Sequence, residues 1–300
     1  PLQTVTLTLP DYGKILGSRS LGLDSYLGIP YASPPVGERR FSPPEPALPW
    51  HPRRLDCRQQ GDDCLQISDD VQNPRVNSMS EDCLYLNVYT PSGYGNGGGG
   101  RGGNFILRGR EGLPVMVWFH GGAFQQGSGR REEFKGEGLA EKDVLVVTVN
   151  YRLGALGWLV SIDDGLYGNY GLMDQRAALD WVHRNIKHFG GDPNKVTLFG
   201  ESAGAVAIGL HAMMDGAGTL FQKVIMQSNP MGYSFRSVIV ADFIGKALKR
   251  EVDCRDLACL RSERVEEILE AQGKFMGVPR SVGDFFVWSP TETREIRYAV

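Results

Sequence analysis

One five-residue motif, GESAG at residues 200–204, restricts the possible folds of this chain most strongly. It follows the short apolar run VTLF at residues 196–199, which is typical of a buried strand. In a G-x-S-x-G turn a strand reverses sharply into a helix, and the small residues let the backbone pass close to itself. The motif therefore predicts a strand–turn–helix unit that holds Ser202 out as a candidate nucleophile.

A second glycine-rich turn lies upstream of the serine motif. Residues 113–119, LPVMVWF, are typical of a buried strand and run directly into HGGAF at residues 120–124. A turn of this kind supplies backbone N–H donors to an oxyanion hole, and the residue after the nucleophile supplies another. Alone, the turn is equally compatible with an ordinary strand ending. Together with the serine motif it indicates an oxyanion hole formed by Gly122, Ala123 and Ala203.

Six segments of the chain resemble the type B carboxylesterase and cholinesterase-like family of α/β-hydrolases, and they occur in the order found in that family. They are YLGIPYA (26–32), SEDCLYLNV (80–88), HGGAF (120–124), NYRLG (150–154), GNYGLMDQ (168–175) and FGESAGA (199–205). The resemblance extends from the first strands to about residue 260 and weakens toward residue 300. It implies a serine carboxylic-ester hydrolase that forms an acyl-enzyme at Ser202 and needs no cofactor or metal.

The hydrophobic pattern predicts an α/β fold with a mostly parallel central sheet and helices on both faces. Residues 144–149 are apolar on both faces, as expected for a covered sheet, and residues 171–189 form an amphipathic helix with its apolar stripe in the core. We expect residues 1–300 to form one catalytic-type domain that stops before the last strands of the α/β-hydrolase fold. The glycine tract at residues 92–103 is predicted to be a flexible insertion.

The histidines raise a difficulty, because in this family the acid and the histidine of the catalytic triad both follow the serine. The five histidines are His51, His120, His183, His188 and His211. Only His211 follows Ser202, nine positions along the predicted helix, where we expect a locally bonded residue that points away from the serine. The later acidic residues Glu251, Asp284 and Glu292 belong to no motif that would select one of them as the acid.

These observations leave three interpretations of the function. The chain begins at Pro1 and its first methionine is Met79, so we expect a fragment of a working esterase. Alternatively, it is a processed remnant or a non-catalytic, cholinesterase-like adhesion or interaction domain, although the retained serine argues against this. A peptidase on the same fold would share the serine motif but is not supported by the other matching segments.

Five cysteines are present, at positions 57, 64, 83, 254 and 259, with no C-x-x-C spacing that would indicate a zinc site. The family resemblance implies that Cys64 pairs with Cys83 and that Cys254 pairs with Cys259. Cys57 is left without a partner. Disulfides form in oxidising compartments, so we expect a secreted protein or one of the secretory pathway.

Several charged and polar residues are predicted to support the site rather than to react. By resemblance to the family, Arg40 pairs with Glu81 and Arg152 pairs with Asp174. Two further residues are predicted to support the serine, namely Glu201, which precedes it, and Ser228, which ends the next strand. Two roles remain open for Glu201. It either tunes the electrostatic potential of the site or supports the site through a hydrogen bond, and neither role is that of the catalytic acid.

Composition argues against nucleic acid and a membrane span, and the sequence also limits the class of ester that we expect as substrate. A net charge of −3 with mixed signs gives no basic surface for nucleic acid, and no apolar run is long enough to span a membrane. Residues 65–82 contain no aromatic side chain that could hold a quaternary ammonium group by cation–π attraction. We therefore expect a small neutral carboxylic ester as substrate. Trp118 and Phe124 are equally compatible with an acyl pocket and with the core.

Overall fold

The computed structural model describes residues 2–67, 79–94, 112–230, 235–275 and 287–292. Most of the predicted glycine-rich insertion lies outside the described residues, as does Asp284. The strands are β1 (Gln3–Leu9), β2 (Gly13–Ser20), β3 (Leu23–Pro30), β4 (Arg54–Asp56), β5 (Asp63–Cys64), β6 (Met79–Ser80), β7 (Tyr85–Pro91), β8 (Leu113–Phe119), β9 (Leu145–Val149), β10 (Val160–Ser161), β11 (Leu166–Tyr167), β12 (Gly191–Glu201), β13 (Lys223–Gln227), β14 (Arg236–Ser237) and β15 (Thr291–Glu292).

Within the described ranges, eight α-helices alternate with the later strands. They are α1 (Glu137–Ala140), α2 (Gly154–Trp158), α3 (Tyr170–Asn185), α4 (Ala203–Met213), α5 (Ala217–Leu220), α6 (Val238–Glu251), α7 (Leu257–Ser262) and α8 (Val265–Lys274). The predicted helix at residues 171–189 corresponds to α3 followed by a 3₁₀ turn, Ile186–Phe189. Its apolar stripe is buried in the main core, as the sequence pattern predicted.

The main sheet is mixed, with strands in the order β1-β2-β3-β7-β9-β8-β12-β13 and β4 paired to β2. The pairs β1–β2, β2–β3, β3–β7 and β7–β9 are antiparallel, whereas β9, β8, β12 and β13 run parallel and β4 is parallel to β2. The β1–β2 and β2–β3 pairs follow from short hairpin connections at residues 10–12 and 21–22, because a few residues can join only antiparallel strands. The predicted α/β architecture is present, and the parallel part is the half of the sheet that carries the serine motif.

The parallel strands β8, β9 and β12 are the apolar centre of the fold. Every residue of β9 is buried, as expected for a strand that is covered on both faces. Strand β13 differs, because all five of its residues are exposed in the described structure. Among the described residues, no helix is long and apolar enough to cross a membrane.

Candidate active site

The serine motif forms the predicted turn between β12 and α4. Ser202 has φ 52° and ψ −118°, a conformation that is strained for a residue with a side chain. Its N–H donates to the carbonyl oxygen of Gln227, 3.0 Å away in the neighbouring strand β13. Its own carbonyl oxygen accepts from the N–H of Val206 at 3.0 Å, within the first turn of α4. These two bonds fix the backbone on both sides of the side chain, which is half-buried.

The two glycines of the motif are required by close packing against the end of β8. A Cβ atom at Gly204 would lie 2.1 Å from the carbonyl oxygen of Phe119, and one at Gly200 would lie 2.7 Å from the same oxygen. Real Cβ atoms do not approach an oxygen so closely, so larger residues would push the strand and the helix apart. The G-x-S-x-G spacing therefore places Ser202 directly against the end of β8.

The turn that follows β8 has an unusual backbone. Gly122 has φ 112°, and the next two residues, Ala123 and Phe124, have φ 54° and 64° although neither is glycine. Consecutive strained residues of this kind cluster at functional sites, where the surrounding structure holds them in place. The backbone N–H groups of Gly122, Ala123 and Ala203 have no hydrogen-bond acceptor among the residues that the structure describes.

The turn and the serine lie side by side. Strands β8 and β12 are parallel neighbours in which Phe119 is paired with Gly200, so both turns leave the same edge of the sheet. A Cβ atom at Gly121 would lie 3.3 Å from the Cβ atom of Ser202 and 2.6 Å from Oε2 of Glu201. The Glu201 carboxylate therefore packs against the backbone of the turn, beside the nucleophile candidate.

Ser228 follows β13 at the position that corresponds to Ser202 on β12, since Glu201 and Gln227 are paired in register. It also has a positive φ, 50°, and it is exposed. The structure thus brings two serines to adjacent strand ends at the edge of the sheet that carries the oxyanion-type turn.

None of the five histidines, all of which lie in described parts of the chain, is hydrogen-bonded to Ser202. His211 is fully buried on α4, and its Nε2 lies 3.0 Å from Oε1 of Gln175 on α3. His120 is buried beneath the turn, where its ring stacks on Tyr151 with ring centres 4.4 Å apart. Burial lowers the pKa of His211 to about 3 and that of His120 to about 4. Both imidazoles are therefore neutral structural groups at pH 7.

Because these histidines are buried in the neutral form, we expect the folded protein to lose stability in acid. An unfolded histidine binds a proton below about pH 6.5, whereas His211 in the folded protein stays neutral until about pH 3. The unfolded state therefore binds more protons as the pH falls through this window, and the free energy of unfolding decreases. Between pH 7 and 4.5, we expect the wild type to lose about 2 kcal/mol more than the His211→Gln variant in urea unfolding.

The matched control for this prediction is His183→Gln, which alters an exposed histidine on α3. It should follow the wild-type pH dependence. Equal acid sensitivity of the wild type and His211→Gln would show that His211 is not held neutral in the folded state.

Two bidentate ion pairs support the loops around the site. The Arg152 guanidinium donates to both carboxylate oxygens of Asp174 at 2.7 and 2.8 Å, and both side chains are almost fully buried. The Arg40 guanidinium donates to both carboxylate oxygens of Glu81 at 2.7 Å and also to the carbonyl oxygen of Glu263 at 2.6 Å. Arg40 therefore ties the first third of the chain to the turn that follows α7.

The cysteines are paired as the family resemblance implies. Cys64 is bonded to Cys83 and Cys254 to Cys259, with Cα atoms 4.9 and 5.4 Å apart. Among the described residues, Cys254, Cys259 and Glu263 are the one group whose donor atoms lie close enough together to hold a metal ion. Both thiols of this group are used in the second disulfide. Cys57 is a free thiol in the core, and burial raises its pKa to about 12, which makes it unreactive.

Trp118 and Phe124, which the sequence left open between pocket and core, are both buried. Trp118 packs between Phe134 and Phe199, and Phe124 meets Trp158 edge-on. They are core residues in the described structure.

Sequence reasoning missed two residues that contact residues 120–127, which comprise the turn and the segment behind it. The Tyr151 hydroxyl donates to the carbonyl oxygen of His120 at 2.7 Å, and the Gln66 side chain forms hydrogen bonds with the backbone of Gly127. Tyr151 belongs to the matched segment NYRLG, which was the available signal. Gln66 lies in no quoted motif, and its partner is 61 positions away in the chain.

Comparisons with known proteins agree with this geometry. A family model described as "Carboxylesterase family" matches residues 3–296. The para-nitrobenzyl esterase of Bacillus subtilis (strain 168) is 44% identical over 230 residues, which are 75% of this chain and 44% of that protein. The cocaine esterase of Oryctolagus cuniculus is 40% identical over 283 residues, 89% of this chain and 50% of that protein. A solved PNB esterase superimposes with a TM-score of 0.82 at 36% identity, covering 97% of this chain and 58% of that one. The chain thus spans about half the length of the relatives that it matches.

Proposed function

Because this chain belongs to the carboxylesterase family, we propose that it carries the nucleophile and the oxyanion hole of a serine carboxylic-ester hydrolase. One observation carries the proposal: Ser202, held in a strained turn at the end of β12, lies beside the turn that follows β8. Two N–H groups of that turn, of Gly122 and Ala123, and the N–H of Ala203 have no acceptor within the described parts of the chain. A hydroxyl beside converging donors is the arrangement that acyl transfer requires.

In the proposed reaction Ser202 Oγ attacks the ester carbonyl carbon, and the serine proton passes to a general base. The N–H groups of Gly122, Ala123 and Ala203 donate to the oxyanion that forms. The alcohol leaves with the proton, and the acyl group stays on Ser202 as an ester. Water then attacks this acyl-enzyme in a second step, releases the carboxylic acid and restores the serine hydroxyl.

The general base and its acidic partner are proposed to come from chain outside these 300 residues. Two features support this. The His211 and His120 side chains are buried and bonded or stacked elsewhere, and neither Glu251 nor Glu292 is hydrogen-bonded to Ser202 in the described structure. Glu251, for example, is ion-paired with Lys274 on the surface.

Glu201 and Ser228 are proposed to support the nucleophile without reacting. The Glu201 carboxylate lies against Gly121, so its charge acts on the turn that would hold the oxyanion. Ser228 follows Gln227, whose carbonyl oxygen accepts the Ser202 N–H, so it sits at the strand end that fixes the nucleophile.

The proposed substrate is a small neutral carboxylic ester. The loop between Cys64 and Cys83 contains no aromatic residue, so it cannot supply a cation–π contact for a quaternary ammonium group. The two disulfides also support a place in the secretory pathway, because disulfides persist in oxidising compartments.

A matched pair of thioesters tests both the activity and this preference. Acetylthiocholine and 3,3-dimethylbutyl thioacetate differ only in whether a cationic nitrogen or a carbon bears the three methyl groups. We expect the wild-type protein to hydrolyse the neutral compound with a kcat/KM at least equal to that for acetylthiocholine. A desolvated cation–π site contributes about 2 kcal/mol, or about 30-fold, so a preference of that size for acetylthiocholine would contradict the proposal. Hydrolysis of neither compound nor of any simple acyl ester would favour a non-catalytic interaction domain.

A further inference from the structure

The side chain of Gln66 bridges two loops that are far apart in sequence. Its Nε2 donates to the carbonyl oxygen of Gly127 at 2.9 Å, and its Oε1 accepts from the N–H of Gly127 at 2.7 Å. The same Nε2 donates to the carbonyl oxygen of Cys64 at 2.9 Å. The amide therefore pairs with Gly127 as one backbone peptide pairs with another in a sheet. It satisfies this arrangement only because it is both a donor and an acceptor.

Gly127 lies immediately behind the oxyanion-type turn. A Cβ atom there would lie 2.4 Å from the carbonyl oxygen of Gly121 and 2.4 Å from Nδ1 of His120. The turn is also closed on itself, because the N–H of Gln126 donates to the carbonyl oxygen of Gly122 at 3.0 Å. Any shift of Gly127 is therefore transmitted to the peptide groups of residues 121–123.

The other end of the bridge is firmly anchored. Gln66 lies two residues after Cys64, which is joined to Cys83 by the first disulfide. Asp63, on the same strand, is hydrogen-bonded to Ser128 and lies 3.5 Å from the Arg130 guanidinium. Two separate contacts thus hold this strand against residues 127–130.

We propose that Gln66 is a positioning residue that holds the oxyanion turn in its working geometry through its hydrogen bonds to Gly127. This inference rests on the proposed function, since it assigns Gln66 a role in stabilising the oxyanion at Ser202. The hydrogen bonds of the Gln66 side chain go to Gly127 and Cys64 and not to Ser202. It acts through the backbone of residues 121–127, where displacing a donor by about 1 Å can cost about 100-fold in rate.

The test replaces the amide with an isosteric carboxyl group. In Gln66→Glu the ionised side chain can still accept from the Gly127 N–H, but it cannot donate to the carbonyl oxygens of Gly127 and Cys64. We expect kcat for a neutral ester to fall by about 10- to 100-fold near pH 8, with KM changed less than about 2-fold. The N–H donors are used mainly in the transition state, which is why KM should change little.

Lowering the pH provides a rescue that general damage to the fold would not show. When the introduced carboxyl group is protonated it becomes a donor again, so the ratio of variant to wild-type kcat should rise as the pH is lowered from about 8 to about 5. The other titratable or charged groups near the bridge are Asp63, Arg130 and the neutral imidazole of His120. They are the same in both proteins, so the ratio cancels their effects. Gln59→Glu, which makes the same change at an exposed glutamine, is the control and should match the wild type throughout.

A second measurement does not depend on activity. In hydrogen exchange followed by mass spectrometry, peptides covering residues 121–130 should exchange faster in Gln66→Glu than in Gln59→Glu. Unchanged exchange, or a kcat within about 3-fold of wild type at pH 8, would overturn the positioning role. A wild-type protein that hydrolyses no ester would instead refute the proposed function, and exchange would then decide alone whether Gln66 holds the turn.

Discussion

Replacing Ser202 with alanine should reduce ester hydrolysis by about 10⁴- to 10⁶-fold, the largest effect that we expect from any single substitution in this protein. The change removes only the Oγ atom that would attack the ester carbonyl. Both backbone bonds of residue 202, to Gln227 and Val206, are made by main-chain atoms and remain available to alanine. The unfolding temperature should therefore stay within a few degrees of the wild-type value.

Ser20→Ala is a suitable control for this substitution, because Ser20 is exposed at the end of β2, in the antiparallel half of the sheet. It should retain wild-type kcat and KM. If Ser202→Ala kept more than about one hundredth of the wild-type kcat, Ser202 could not be the nucleophile. Loss of activity together with loss of the folded state would leave the wild-type labelling experiment described below to decide.

Breaking the Arg152–Asp174 pair should produce the largest loss of stability. The Asp174 side chain is completely buried and accepts from Nε and Nη2 of Arg152 and from the Arg152 backbone N–H. Arg152 also donates to the carbonyl oxygen of Ser42 at 2.7 Å and lies 5.3 Å above the ring of Tyr170. Asp174→Ala would leave a buried guanidinium without its counter-charge, which typically costs about 3 to 5 kcal/mol. We expect a loss of this size in urea unfolding, or failure to accumulate as folded protein.

An exposed pair of similar geometry provides the comparison. Asp56 accepts from the Arg58 guanidinium at 2.6 and 2.8 Å, but about half of each side chain is open to water. Water screens such a pair, so Asp56→Ala should leave the unfolding midpoint almost unchanged. Equal effects of Asp174→Ala and Asp56→Ala would contradict the view that burial makes the first pair important. The double variant Arg152→Met/Asp174→Leu should recover part of the loss, because it removes the buried charge.

The sequence predicted best where a local pattern and a packing requirement coincide. Strand β8 has the predicted bounds, because a run of seven apolar residues ends at a glycine-rich turn. The serine turn was also predicted correctly. Its two glycines are imposed by the carbonyl oxygen of Phe119, and a short-range spacing is enough to reveal such a constraint.

Contacts between distant segments could not be predicted in the same way. The antiparallel half of the sheet was not separated from the parallel half, because strand direction depends on how the chain returns and not on the apolar pattern of each strand. The bonds of Gln66 to Gly127 and of Arg40 to Glu263 span 61 and 223 positions. Nothing in the composition around Gln66 indicates a partner, since a glutamine in a polar loop is usually solvated.

Fluorophosphonate labelling shows whether Ser202 is a nucleophile that is activated within the natural protein. The wild type should gain the mass of one phosphonyl group, peptide mapping should place that group on Ser202, and the Ser202→Ala variant should gain none. Labelling at another residue, equal labelling of the variant, or no labelling of wild-type protein from its natural source would show that Ser202 is not the nucleophile of an esterase active site.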